Sequence, residues 1–521
     1  MISARLSRID PCILVLIFLT VFGFALRMYD LGSQSLWYDE GYSIQAALAM
    51  LDKGAPVLPS GWFYTHGLLN TSFIAASMGM FGETELAARL PSVIFGTLTI
   101  PLVFFFARRI GGTRTALIAA FIVTFLALEI AWSRQARMYQ QLQFFYILSL
   151  YLFYLYTQKR SNKLLILTVV STICAVLSHT SGASVVLVFL AWLLLANIRN
   201  IRRYANREFL KSKQTIAFIL FAAITLIVAQ AVFHVFSGAW GFKMNYFTEY
   251  TNYLAEFLPV ILYMGAAGII VMFKREWKTS LLLLLALAVP FYFFCFQVKL
   301  LSMRYLYLFM PVLIIYFAYT VTYVGNILAR ALKKRLKGSG GAEQLNRWLG
   351  PALCVVIIGL SLPGAGFNFL PQSEHWLDMT APQPDFKLAY NFVNDNAREG
   401  DVIIDTWPSV GLFYLEREPD YWLDFDIAGT HGKYCIDGRD RYANISCIQD
   451  VIELEAVINA SPSGWLVMDK LAAYRLPQET VRYIEQNLAY YEEGSRAMAA
   501  GTVLVYGWPN ASAPAEVIDS E

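Results

Sequence analysis

Asp30-Leu31-Gly32-Ser33-Gln34-Ser35-Leu36-Trp37-Tyr38-Asp39-Glu40 follows an apolar run that begins at Pro11, so two adjacent carboxylates stand just beyond a segment suited to hydrocarbon. An ionised side chain near hydrocarbon is costly unless it is paired or faces water. The pair therefore reads either as charge at a helix N-terminus or as a site at the membrane face. Arg5 and Arg8 precede the apolar run as they would in a secretory leader, but no small-residue cleavage site follows. The run reads as a retained anchor.

Outward from this stretch the chain keeps the same character. With 57% hydrophobic and 15% charged residues, composition excludes an ordinary soluble protein. The net charge of +3 hides an asymmetry: residues 1–367 carry 31 Lys/Arg against 13 Asp/Glu, and residues 368–521 carry 10 against 25. A basic membrane domain (1–367) and an acidic soluble domain (368–521) follow. The acidity of the second argues against nucleic acid as a partner.

Apolar runs near the roughly 20 residues needed to cross a bilayer recur about eleven times. They fall near 11–29, 86–107, 115–133, 139–157, 164–178, 182–198, 215–236, 257–273, 280–298, 305–327 and 349–367. Alternate loops are rich in Arg and Lys, among them Arg108, Arg109 and Arg114, then Lys274, Arg275 and Lys278, then six cations from Arg330 to Arg347. By the positive-inside rule the N-terminus is cytoplasmic and the C-terminal domain extracytoplasmic, in a plasma or inner membrane. These loops read as orientation signals.

The remaining charges fall on the outer side, near the ends of apolar spans: Asp39, Glu40, Glu83, Glu85, Arg89, Glu129, Arg134, Arg137, Lys299 and Arg304, with His66, His179 and His234 beside them. They form a candidate wet cavity, although each would also serve as an interfacial anchor. The first outer loop, 30–85, holds a helix-like run from Asp39 to Leu51, a Gly/Pro break, and a short apolar run from Leu68 to Phe81 that reads as lying along or dipping into the outer leaflet. The histidines lack a metal-binding spacing, so the sequence names no certain cofactor and leaves a divalent metal open but unsupported.

Four stretches come in a characteristic order: Trp37-Tyr38-Asp39-Glu40, Thr65-His66-Gly67-Leu68-Leu69, Phe81-Gly82-Glu83-Thr84-Glu85 through Arg89-Leu90-Pro91, and Ser133-Arg134-Gln135-Ala136-Arg137-Met138-Tyr139. This ordered set resembles GT-C membrane glycosyltransferases, the branch of protein O-mannosyltransferases, lipid A aminoarabinose transferases and RgtA/B/C/D-like enzymes. The resemblance covers about residues 11–330. It implies a GT-C-like helical domain that moves a sugar from a polyprenyl-phosphate donor to an extracytoplasmic lipid, glycan or protein acceptor, with inversion. Where many relatives have His-Pro-Pro or Lys-Pro-Pro, this chain has His66-Gly67-Leu68.

By its match to the family's acidic position, Asp39 is the candidate base, and Glu40, about 100° away on a helix, a supporting residue. Arginines suit a departing phosphate because their planar forks bind its oxygens in pairs. Arg304, with Lys299 and Tyr305 near it, and Arg134, Arg137 and Tyr139 are the candidates for that role. His66, Glu83, Arg89 and His179 are further cavity candidates. The alternative reading is a transporter or flippase of lipid-linked saccharides, which would also place charges in a membrane cavity.

The C-terminal part alternates helix-like and strand-like runs: helices over 384–397, 448–459 and 479–491, and strands over 401–406, 464–468 and 502–506. A small α/β domain follows. Cys435 and Cys447 are its only cysteines, and outside the cytoplasm they could form a disulfide.

Overall fold

The computed structural model describes residues 10–203, 245–298, 301–335, 352, 356, 384–425, 434–495 and 503–509. Two compact units emerge: Met1–Tyr29, Ser92–Arg134 and Met138–Pro371 form one, and Asp30–Pro91, Gln135–Arg137 and Gln372–Glu521 the other. The helices before the sheet are α1 (Pro11–Met28), α2 (Tyr38–Lys53), α3 (Leu68–Phe81), α4 (Glu85–Phe125), α5 (Ala127–Trp132), α6 (Tyr139–Lys159), α7 (Asn162–Ser178), α8 (Ser184–Arg203), α9 (Phe247–Phe257), α10 (Pro259–Arg275), α11 (Trp277–Phe296) and α12 (Met310–Arg335).

The first unit is a helical membrane bundle. Asp10 caps α1 by accepting the Cys12 N–H at 3.1 Å, and Pro11 opens the helix where its missing N–H costs nothing. Gly112, at φ 80°, breaks α4 into two helices, the left-handed backbone there needing glycine. Near its other end Leu126 turns extended, so the expected span over 115–133 ends early and Glu129 falls on the short α5. On α10, Gly265 and Gly268 meet Leu313 and the Tyr316 carbonyl of α12 so closely that a side chain would collide.

Among the described residues, α1, α4, α11 and Met303–Ala331 are long and apolar enough to cross a membrane, and α9 with α10, bent by 109°, adds a fifth if counted as one span. This makes the chain an integral membrane protein, while the count of about eleven is not confirmed. The reason is physical: α7 has only 17 residues, and α6 carries Gln and Tyr through an otherwise apolar run. The span expected at 215–236, and that at 349–367 except for residues 352 and 356, lie outside the described residues.

The second unit is built on an eight-stranded mixed sheet of order β3-β4-β5-β2-β1-β6-β8-β7. The strands are β1 (Val402–Asp405), β2 (Tyr421–Leu423), β3 (Cys435–Ile436), β4 (Arg439–Asp440), β5 (Ser446–Ile448), β6 (Gly464–Asp469), β7 (Ala489–Tyr490) and β8 (Val503–Trp508). Its centre, β5-β2-β1-β6, is parallel, with Ile404 opposite Leu466. Helices α13 (Phe386–Asn396), α14 (Pro408–Tyr414), α15 (Val451–Ala460), α16 (Lys470–Arg475) and α17 (Gln478–Asn487) connect it. The expected helices appear as α13, α15 and α17, and the expected strands as β1, β6 and β8. Cys435 and Cys447 are disulfide-bonded.

The first loop shares this unit's core. Leu36, Ile44, Ala47, Ile74, Ala75 and Met78 pack in one buried cluster with Trp407, Val410 and the sheet's apolar residues. Gly41 lets α2 approach α14: a Cβ there would lie 2.8 Å from the Ser409 carbonyl oxygen. Three residues earlier, Tyr38 stacks on Trp407 with ring centroids 4.1 Å apart.

Candidate active site

Two groups of polar residues are built by these units, one in each. The first begins where α2 begins. Trp37 is extended, and Glu40 at the third helical position reaches back to accept its N–H at 3.4 Å, half of a capping box. Both carboxylates fall in the first turn, where the helix dipole favours negative charge.

Their environments then diverge. Glu40 is 0% exposed and meets Arg89, 1% exposed, through a two-pronged contact: Nε to Oε1 and Nη2 to Oε2, each at 2.8 Å. Glu40 Oε1 also accepts the Ala136 N–H at 2.7 Å, and Arg89 donates to the carbonyls of Leu31, Gln34 and Ser35. This ion pair fastens the 30–37 stretch, α2, the start of α4 and the 135–137 segment together. A carboxylate so enclosed orients its neighbours.

Asp39 is 16% exposed and pairs with Arg137, Nη2 to Oδ2 at 3.5 Å. Arg137 Nη1 donates to the Asp39 carbonyl at 2.7 Å, to Ser43 Oγ at 2.7 Å and to Tyr64 Oη at 3.2 Å. Three acceptors thus hold one nitrogen of the guanidinium, which presents its positive charge to the carboxylate. Accessibility separates the two acids: Asp39 keeps an exposed surface and Glu40 has none.

His66 belongs to the same group. Its ring lies 5.6 Å from that of Tyr64 and 6.3 Å from that of Trp62. Crowding by protein atoms, then the Arg137 charge, push its imidazole down to about 4, although the residue keeps a solvent-exposed surface. It is neutral at pH 7. Gly67, at φ 75°, follows as the cap of α3 in a backbone region that proline cannot enter, which accounts locally for the His-Gly-Leu sequence.

The second group lies in the helical unit. The Arg304 guanidinium sits over the Tyr139 ring, 5.5 Å from its centroid, and Tyr139 neighbours Trp132 at 5.1 Å and His179 at 5.9 Å. Tyr305 stacks on Phe294 at 5.0 Å. His179 Nδ1 accepts the Ser181 N–H at 3.2 Å. Arg304 opens a 3-10 turn, Met303–Phe309, whose Tyr307 donates to Glu129 Oε2 at 3.0 Å and also meets Gln140 Oε1. Gln143 Nε2 ties the Tyr307 carbonyl, at 2.9 Å, to Glu129 Oε1, at 3.1 Å. A buried polar network therefore fixes the turn that carries Arg304.

Arg134 and Glu83 have other surroundings. Arg134 donates to the carbonyls of Arg27 and Tyr29 at the end of α1. Glu83 is exposed beside the α3 terminus. Lys299 lies outside the described residues. Among the described residues there is no cluster of three or more His, Cys, Asp or Glu side chains fit to hold a metal. Sequence reasoning did not single out Ser43, Tyr64, Tyr307, Gln140 or Gln143. Only Ser43 carried a signal, lying four residues after Asp39 on the same helical face.

This architecture recurs in solved structures. The chain is similar to ArnT from Cupriavidus metallidurans in the apo state, with TM-score 0.59 and 12% identity over 94% of this chain and 97% of that one. The form of that protein bound to undecaprenyl phosphate matches at 0.60 and 13%, with the same coverage. The archaeal oligosaccharyltransferase AglB from Archaeoglobus fulgidus, in complex with an inhibitory peptide and a dolichol-phosphate, matches at 0.57 and 15% over 97% of this chain and 75% of that one. At such identities the likeness is one of fold, and the fold is that shared with ArnT and AglB. Within it, residues 65–229 match the family model of dolichyl-phosphate-mannose-protein mannosyltransferases. Over 159 residues the chain is 32% identical to an uncharacterized protein of Aquifex aeolicus (strain VF5), spanning 29% of this chain and about a third, 32%, of that protein.

Proposed function

We propose that the protein transfers a sugar from a polyprenyl-phosphate donor to an acceptor hydroxyl on the extracytoplasmic side of the membrane, inverting the anomeric carbon. The acceptor oxygen forms a bond to that carbon as the bond to the phosphate oxygen breaks, and the electron pair leaves on the phosphate. Asp39 receives the hydroxyl proton, held in place by Arg137 and by the Glu40–Arg89 pair behind it. Arg304 takes the phosphate, whose charge rises as the sugar departs. The observation that carries this reading is the contrast at 39–40: of two adjacent acids, one is sealed in an ion pair and the other is accessible beside an anchored arginine. The polyprenyl phosphates bound by ArnT and AglB support the donor class.

Transfer from a series of undecaprenyl-phosphate sugars, measured in proteoliposomes, tests the assignment. Asp39→Asn should lower the rate about 10²- to 10⁴-fold while undecaprenyl-phosphate binding is kept. Undiminished transfer by the variant sinks Asp39 as the base. Absence of transfer by the wild type with every donor sinks the enzyme reading.

A further inference from the structure

A second polar feature of the helical unit has no part in that chemistry. Beside the Gly112 break in α4, a cavity of about 530 Å³ opens among α4, α10 and α12. Arg275, the last residue of α10, lines it with its guanidinium 4.7 Å from the centre of the Tyr323 ring, and Arg330 of α12 lines it as well. Arg114 Nη1 donates to the lining Asn326 at 2.8 Å, bringing a third cation to the rim. Among the described residues that line it, none is acidic.

As orientation signals these arginines need only lie in their loops. Gathering them round a cavity walled by hydroxyl and amide groups needs another reason. Three like charges at the ends of apolar helices repel one another and are costly beside hydrocarbon, a cost that a bound anion removes. Stacking on Tyr323 occupies a face of the Arg275 guanidinium, and the in-plane fork of a stacked arginine suits phosphate oxygens. The surroundings favour a lipid over a free ion: Ile270 and Phe273 on α10, and Ile327 and Leu328 on α12, are exposed apolar side chains near the same helix ends. Basic pockets between membrane helices bind lipid headgroups on this physical basis.

We infer that this cavity holds the phosphate headgroup of an anionic phospholipid from the leaflet on the basic face of the protein. Native mass spectrometry of the full chain, titrated separately with phosphatidylglycerol and phosphatidylcholine, tests the inference. The wild type should retain phosphatidylglycerol preferentially. Arg275→Gln with Arg330→Gln should lower that retention about 25-fold, at roughly fivefold per arginine near an anionic headgroup. Arg109→Gln with Lys274→Gln removes the same charge from exposed positions outside the lining and should change retention less than about twofold.

Equal losses in the two double variants, or none in the first, overturn the site. Displacement of phosphatidylglycerol by millimolar inorganic phosphate overturns the lipid assignment in favour of a soluble anion. If the glutamine pair does not fold, Arg275→Lys with Arg330→Lys decides: it keeps the charge and loses the fork, so unchanged retention overturns the proposal and about a fivefold loss supports it.

Discussion

Replacing Glu40 by Gln tests the architecture under the candidate site. The variant removes one charge and little volume from a pair whose side chains are 0% and 1% exposed, with both contacts at 2.8 Å. At an effective dielectric near 20, unit charges about 4 Å apart interact by about 4 kcal/mol. Breaking a buried pair on one side costs about 3–5 kcal/mol, because the surviving charge is left in the interior. Arg89 keeps its bonds to the carbonyls of Leu31, Gln34 and Ser35, which places the expected loss near the lower end, about 3 kcal/mol. For a unit of this size that lowers Tm by about 6–12 °C. Intrinsic fluorescence during heating in detergent reads it, since Trp37 and Trp407 both lie in the second unit. Glu40→Gln with Arg89→Gln should cost much less than the sum of the two single changes, because neither charge is then left alone. A fall in Tm below about 2 °C for Glu40→Gln, or strict additivity in the double variant, refutes the buried pair as the element that fixes α2.

Three further outcomes follow from the same physics. Tyr307→Phe leaves Glu129 without one donor and should cost about 1–3 kcal/mol; undecaprenyl-phosphate binding should weaken with it, because Arg304 rides on the same turn. Burial pushes Asp405 up to about 7 and Asp469 up to about 6, against an ordinary 3.8. The folded protein then holds protons that the unfolded chain has already released, so the stability from these groups is fully present below about pH 4 and is lost as pH rises towards 7. Thermal melts from pH 4 to 8 should show this decline, and Asp405→Asn should flatten it. Cys447→Ser opens a loop with a separation of 12 residues; by loop-closure entropy the loss is about 3 kcal/mol, and a reductant should lower the wild-type Tm to the same degree.

Local pattern made much of this molecule legible. The apolar run bounded by Gly67 and Gly82 gives α3 over Leu68–Phe81 as expected, and amphipathic and alternating periods mark α13, α15, α17, β1, β6 and β8 to within a few residues. The strands β2 to β5 have two or three residues each, too few for a period to register. Gly112 sits in the expected basic loop of Arg108, Arg109 and Arg114, where its positive φ breaks α4 into two helices. At the site, residue types were legible but partners were not. Glu40 and Arg89 were marked among the polar outer residues; their pairing across 49 positions converts both into buried scaffold. Tyr64 and Tyr307 gave no signal, since a tyrosine in an aromatic-rich membrane sequence is unremarkable until its hydroxyl is seen to meet Arg137 or Glu129.

The second unit is drawn from three separate stretches of chain, and this sets a clock on its assembly. Leu36 donates to the Tyr414 hydroxyl across 378 positions, and Ser60 to the Arg441 carbonyl across 381. At translation rates of about 5–20 residues per second, the loop bearing Asp39 waits roughly 20–75 s after synthesis before its partners exist. During that interval Ile44, Ile74 and Met78 have no sheet to cover them, so the nascent loop is a natural client for chaperones and a target for proteases. Ribosome stalling or truncation before β1 should therefore leave the bundle helices and the Asp39–Arg137 and Glu40–Arg89 partners made, but without the sheet that covers Ile44, Ile74 and Met78.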